Sequence, residues 1–305
     1  MSRKLAATLA LAVCAAAAAA GVSLAGADGR FGDDTVAMPR EVIAAASAFC
    51  AYVEHAAAAS GRMTSGAAVG DGLKAGAAYE PGQFEEGMIG YASLAALRDD
   101  RFIAGVAYAA RIGGRRELIE RLVADPASVL RIDGADEAAL GAQAALRERG
   151  EALAKAGGRT KQAAYDVQRE PWSRVRVADH AQRLAGVKSL SARRLDVAAG
   201  DDARLIEAVL RLRPPAGVAE TASPIVVRGL ALAAEAALGA ARAEDLASLR
   251  PLLSETSSAR CLKMSKLNLY QCMAVAGPQY EDVFCLGQHE LIDTAQCVAD
   301  ASGAR

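Results

Sequence analysis

Apolar side chains recur along this chain at three- and four-residue intervals and almost nowhere alternate. Val42, Ala46, Phe49 and Val53 form one such stripe, predicting a helix from Pro39 to about Ser60. Pro39 suits its first turn, where a missing N–H costs nothing. Three short helices are predicted next: about Phe84 to Leu97, a second capped by Asp99 or Asp100, and a third over Arg115–Ala124. Gly113-Gly114 separates the last two, and Asp125-Pro126 marks a stop and a fresh start. A long helix is predicted from about Asp136 to Gln168, kinked or divided at Gly157-Gly158. Further helices are predicted over Val177–Ala199, from Asp201 or Asp202 through Leu212, over Pro224–Ala243 and over Glu244–Glu255. Residues 213–223, with Pro214-Pro215, read as a short linker.

Gly61 to Gly82 interrupts this pattern. It holds Gly61, Gly66, Gly70, Gly72, Gly76 and Gly82, and that density opposes a helix through lost backbone entropy. Residues 61–83 are therefore expected to form a surface loop. Gly70-Asp71-Gly72 lacks the preceding strand and following Gly-Lys-Ser/Thr of a phosphate loop. No repeat period appears, and strand signals are thin. The fold class expected is all-α: an irregular array of helices over residues 84–256, ending in a hairpin at 257–305 packed on the same domain.

The hairpin carries the sharpest signal. Cys261, Cys272, Cys285 and Cys297 flank Gly277-Pro278-Gln279, and the inner and outer pairs share nearly one midpoint. Eleven residues separate Cys261 from Cys272, about 20° of helical rotation and roughly 16 Å of rise, so they share a face but cannot bond each other. Bonds must cross between the arms, and an antiparallel hairpin favours Cys261–Cys297 with Cys272–Cys285. Cys285 and Cys297 are twelve apart, about 120° out of phase on a straight α-helix. A kink at Gly287, or a helix starting after it, would be needed. The layout is similar in geometry, though not in kinship, to the twin Cys-x9-Cys arms of the coiled-coil-helix-coiled-coil-helix motif; the spacings in this chain are x10 and x11.

The N-terminus reads as a secretory signal. Arg3 and Lys4 precede an apolar, Ala-rich run from Leu5 to Ala20, and Ala25-Gly26-Ala27 offers small residues for cleavage after Ala27. Residues 28–60 would then begin the mature chain. A lipoprotein through Cys14, preceded by Leu11-Ala12-Val13, is the minor alternative, and a retained membrane anchor another. Loss of residues 1–27 leaves 33 basic and 36 acidic residues, which gives no nucleic-acid footprint. Pro224–Ala243 is interrupted by Arg228, Glu235 and Arg242, so no transmembrane segment is expected after cleavage. A periplasmic or secreted soluble product, in an oxidising compartment, makes disulfides the default. Cys50 is then the odd thiol, free or bridging a homodimer.

Candidate chemistry is sparse. Tyr165, Arg169 and Trp172, with Arg174 and Arg176, form a candidate recognition surface, although a lone Trp more often packs over a helix junction. His289 and Asp293 are four apart and share a helix face, but no third or fourth metal ligand accompanies them. No Gly-x-Ser-x-Gly elbow marks a nucleophile, and no cofactor motif occurs. The reading that follows is non-enzymatic: a cell-envelope interaction or structural module whose partner is an unidentified protein or envelope component. The alternative is an envelope hydrolase using His289 or His180 with nearby carboxylates.

Overall fold

The computed structural model describes residues 22–23, 37–59, 63–198, 200–213, 217, 219 and 221–303. The expected leader, with Cys14 and the cleavage site, lies outside these residues except for Val22–Ser23. That pair forms β1, antiparallel to β2 at Ala37–Met38. Everything else regular is helical. The elements are α1 (Arg40–Ala59), α2 (Gly66–Ala77), α3 (Pro81–Ala96), α4 (Asp100–Gly113), α5 (Arg115–Ala124), α6 (Ala135–Val167), α7 (His180–Ser191), α8 (Asp201–Arg211), α9 (Pro224–Ala237), α10 (Leu246–Leu249), α11 (Thr256–Val275), α12 (Gln279–Cys285) and α13 (Asp293–Ser302).

Side chains that accept from free N–H groups set many of the starts. Ser65 caps α2, Glu80 caps α3, Asp99 caps α4 and Ser223 caps α9. Glu255, rather than the expected Ser257 or Ser258, caps α11 by accepting from both serine N–H groups.

The core is built on α3, which is buried along nearly its whole length. It packs between α1, α9 and α6. Phe84 meets Phe49 edge-on at 5.0 Å, and Tyr52 and Tyr79 complete the cluster. Gly87 lets α3 approach the backbone of α1, where an added Cβ would sit 2.4 Å from the Ala45 carbonyl. The long α6 spans about 50 Å and packs on α12 and α13, with Val298 of α13 beside Gly150 near its middle.

Five expectations require correction. Residues 61–83 are not a loop throughout, because Gly66–Ala77 is helical. Its glycines are absorbed by packing: a Cβ at Gly66, Gly72 or Gly76 would meet Gln279, Met63 or Leu286 at under 3.0 Å. The helix expected over Val177–Ala199 is shorter, spanning only His180–Ser191. Pro224–Ala243 stops at Ala237, where Gly239 adopts a left-handed φ of 65°. Glu244–Glu255 is broken into 3-10 turns around the four residues of α10. Finally, α6 runs unbroken through Gly157-Gly158.

Candidate functional site

The C-terminal arm is clamped by the nested pairing. Cys261 bonds Cys297 and Cys272 bonds Cys285, with Cα–Cα distances of 5.7 and 5.6 Å. The phase problem at Cys285 is resolved between the two bonds. Leu286–Ile292 is π-helical, bonding each N–H to the carbonyl five residues back. One residue is thereby absorbed, and the twelve-residue separation behaves as eleven, about 20° of rotation. Both arms then present their cysteines along one face. Gly287 does not kink the arm; it lies against α6, where an added Cβ would meet Lys161 N at 2.5 Å.

The π turn aims Glu290 into the interior. Glu290 Oε1 accepts from Lys266 Nζ of α11 at 2.5 Å, and both side chains are sealed from solvent. Lys266 also donates to the Ala77 carbonyl at 3.1 Å and lies 3.4 Å from the Tyr79 ring centroid. Ser265 Oγ donates to the His289 carbonyl at 2.7 Å and contacts Thr294 Oγ1, which bonds the Tyr79 hydroxyl. Burial pushes Lys266 below and Glu290 above their ordinary values, and their mutual attraction opposes both shifts. Burial also raises Tyr52 and Tyr79, reinforced by the Glu290 charge. Buried on both sides, Lys266 and Glu290 act as an internal tie between α11 and the π turn.

The sequence candidates lie apart from one another. His289 Nδ1 donates to Asp293 Oδ2 at 3.0 Å, and Asn268 and Gln288 donate to the same carboxylate at 3.1 Å. His180 Nε2 donates to the Met273 carbonyl. Trp172 is half-buried against the core, with Arg169, Arg174 and Arg176 exposed around it. Tyr165 turns away to meet Phe284 edge-on at 6.3 Å. Tyr165, Val275, Tyr280, Phe284 and the Cys272–Cys285 bond line a groove of about 390 Å³. Cys50 is unpaired and 4 % exposed.

A wider cleft, of about 670 Å³, lies elsewhere, between α2 and α7. Leu73, Val177, Val187 and Leu190 give it an apolar floor, and Lys74, Arg183 and Arg193 stand at its rim. Two backbone bonds hold its near end: Val177 N donates to the Gly277 carbonyl at 3.2 Å, and Gln279 N to the Val175 carbonyl at 3.3 Å. The cleft was not legible in the sequence because its α2 wall falls in the stretch expected to be loop. The legible trace is on α7, where Asp179, Arg183, Gly186, Val187 and Leu190 fall on one helical face.

No protein-family model, curated protein or solved structure matches the chain.

Proposed function

We propose that the chain is a non-enzymatic binding or structural module of the cell envelope or secreted space. One observation supports this above others. His289 and His180 are each engaged in a bond that orders the arm, and neither lines the α2–α7 cleft or the groove beside Phe284. The α2–α7 cleft and the groove beside Phe284 are lined by apolar and aromatic groups with a few polar side chains, which suits binding. Residence in an oxidising compartment is supported by the two disulfides. Among the described residues no helix is long and apolar enough to cross a membrane.

The hydrolase alternative draws on the His289–Asp293 pair. A nucleophile is what it lacks. Ser265, the hydroxyl nearest in this network, bonds the His289 backbone carbonyl and not the ring.

The test is turnover. Purified protein is assayed against ester, amide and glycosidic substrates, including cell-wall polymers, beside His289→Ala and His180→Ala. No turnover above background is expected. Turnover that either substitution abolishes would overturn the module reading. Crosslinking in the native envelope then identifies the partner.

A further inference from the structure

We propose that the cleft between α2 and α7 binds a single-chain amphiphile carrying one carboxylate, with the acyl chain along the floor and the carboxylate at Arg193. This deepens the module reading and rests on it.

The shape argument comes from two glycines. Gly70 of α2 and Gly186 of α7 both line the cleft, and a Cβ at either would meet nothing within 4 Å. Glycine inside a helix is unfavourable, so it usually answers a packing need. Gly66, Gly72 and Gly76 answer such a need, each abutting another side chain. Gly70 and Gly186 do not. What their missing side chains preserve is the open volume itself. From Asp179 to Leu190 the trough follows α7 for about 16 Å, room for a medium-length extended chain. Leu73, Val177, Val187 and Leu190 line its floor, of which Val177 and Leu190 are partly exposed while Leu73 and Val187 lie buried beneath.

The charge argument selects the head group. Three cations line the cleft, and two are already neutralised: Lys74 pairs with Asp71, and Arg183 with the buried Asp282. Arg193 has no carboxylate partner among the described residues; its guanidinium donates only weakly to Ser189 Oγ, at 3.5 Å. A guanidinium fork matches one carboxylate in bidentate fashion. Asp179 lies at the opposite end and repels an anion there, which gives the site a direction. One uncommitted cation over an apolar trough fits a fatty-acid-like monoanion.

The probe is dodecanoate, titrated below its micellar concentration into the full exported chain and followed by calorimetry, with methyl dodecanoate as the uncharged control. Saturable one-to-one binding is expected, with preference for the acid. Gly186→Leu fills the trough and should weaken binding at least tenfold while raising the thermal midpoint, because a helix interior gains a better former. Gly70→Leu fills the same space from the other wall and provides a second version of the experiment. Arg193→Gln should weaken dodecanoate about tenfold and erase the preference over the ester. Absence of saturable binding in the parent, or undiminished binding in both filled variants, overturns the assignment of the cleft and leaves the module reading intact. Hydrolysis of the methyl ester by the parent would instead overturn the module reading.

Discussion

Lys266 Nζ lies 2.5 Å from Glu290 Oε1, and this contact joins α11 to the π turn beneath the two disulfides. Both groups are enclosed, so each depends on the other for charge compensation. Lys266→Met leaves Glu290 buried without its partner and is expected to cost about 3–5 kcal/mol. Lys266→Met with Glu290→Leu removes both charges and should recover most of that loss. Urea denaturation of the three proteins checks the prediction. Equal losses in the single and double variants would contradict the idea that the stranded charge is responsible.

The crossing of α6 with the π turn makes a steric prediction. A Cβ at Gly157 would sit 2.9 Å from Ile292 N and 3.0 Å from the Gly287 carbonyl. Gly157→Ala and Gly287→Ala should each destabilise by about 1–3 kcal/mol, because backbone on the opposite element cannot swing aside. The neighbouring Gly158 has open space around it. Gly158→Ala should therefore stabilise by roughly 0.5–1 kcal/mol through helix propensity. Opposite shifts at adjacent glycines would be read directly in the denaturation midpoints.

Glu235 of α9 predicts a pH dependence. It is fully buried, both of its oxygens lack hydrogen-bond partners, and burial raises its carboxyl to about 8. The folded chain thus holds this proton more tightly than the unfolded chain does. The resulting penalty is absent below about pH 4.5, grows as pH rises and is complete above about pH 8, reaching at most about 5 kcal/mol. Glu235→Gln keeps the shape without the charge. Its stability advantage should be near zero at pH 4 and widen towards pH 8. Glu85, raised by burial to about 7, titrates within the same window, so the difference between parent and variant isolates Glu235.

Cys50 should be chemically silent in the native chain. Burial pushes its thiol up to about 12, with Arg149 opposing and Glu54 adding to the shift. A thiol reagent at pH 8 should find no reactive group among residues 37–303 in the folded protein and one after denaturation without reductant. A covalent dimer through Cys50 would first require α1 to be uncovered. Rapid native labelling would contradict the burial on which this rests.

Much of this architecture is legible in the sequence. Concentric cysteine spacing implied the nested clamp, and the mismatch at Cys285 pointed to the arm that departs from α geometry. Gly113-Gly114 and Asp125-Pro126 punctuate α4 and α5 where expected. The failures share one cause. Local glycine content argued against α2, but its glycines serve contacts with Met63, Gln279 and Leu286, and those long-range neighbours are invisible to a local pattern. The α2–α7 cleft was lost with it, since its walls lie more than 100 residues apart. Trp172 packs partly buried against the core, and the turn of Tyr165 towards Phe284 depends on where α12 docks.

The π turn also couples residue count to hydrogen-bonding pattern in this arm. Eleven steps from Cys285 to Cys297 would align the sulfurs on an ordinary α-helix, and the chain supplies twelve. The extra residue is stored as slack in Leu286–Ile292. Loss of one residue from this stretch could be absorbed by reversion to α pairing with both bridges kept. Gain of one would rotate Cys297 by about 100° away from Cys261. The arm is thus asymmetric towards length change: tolerant of shortening by a single residue and intolerant of lengthening.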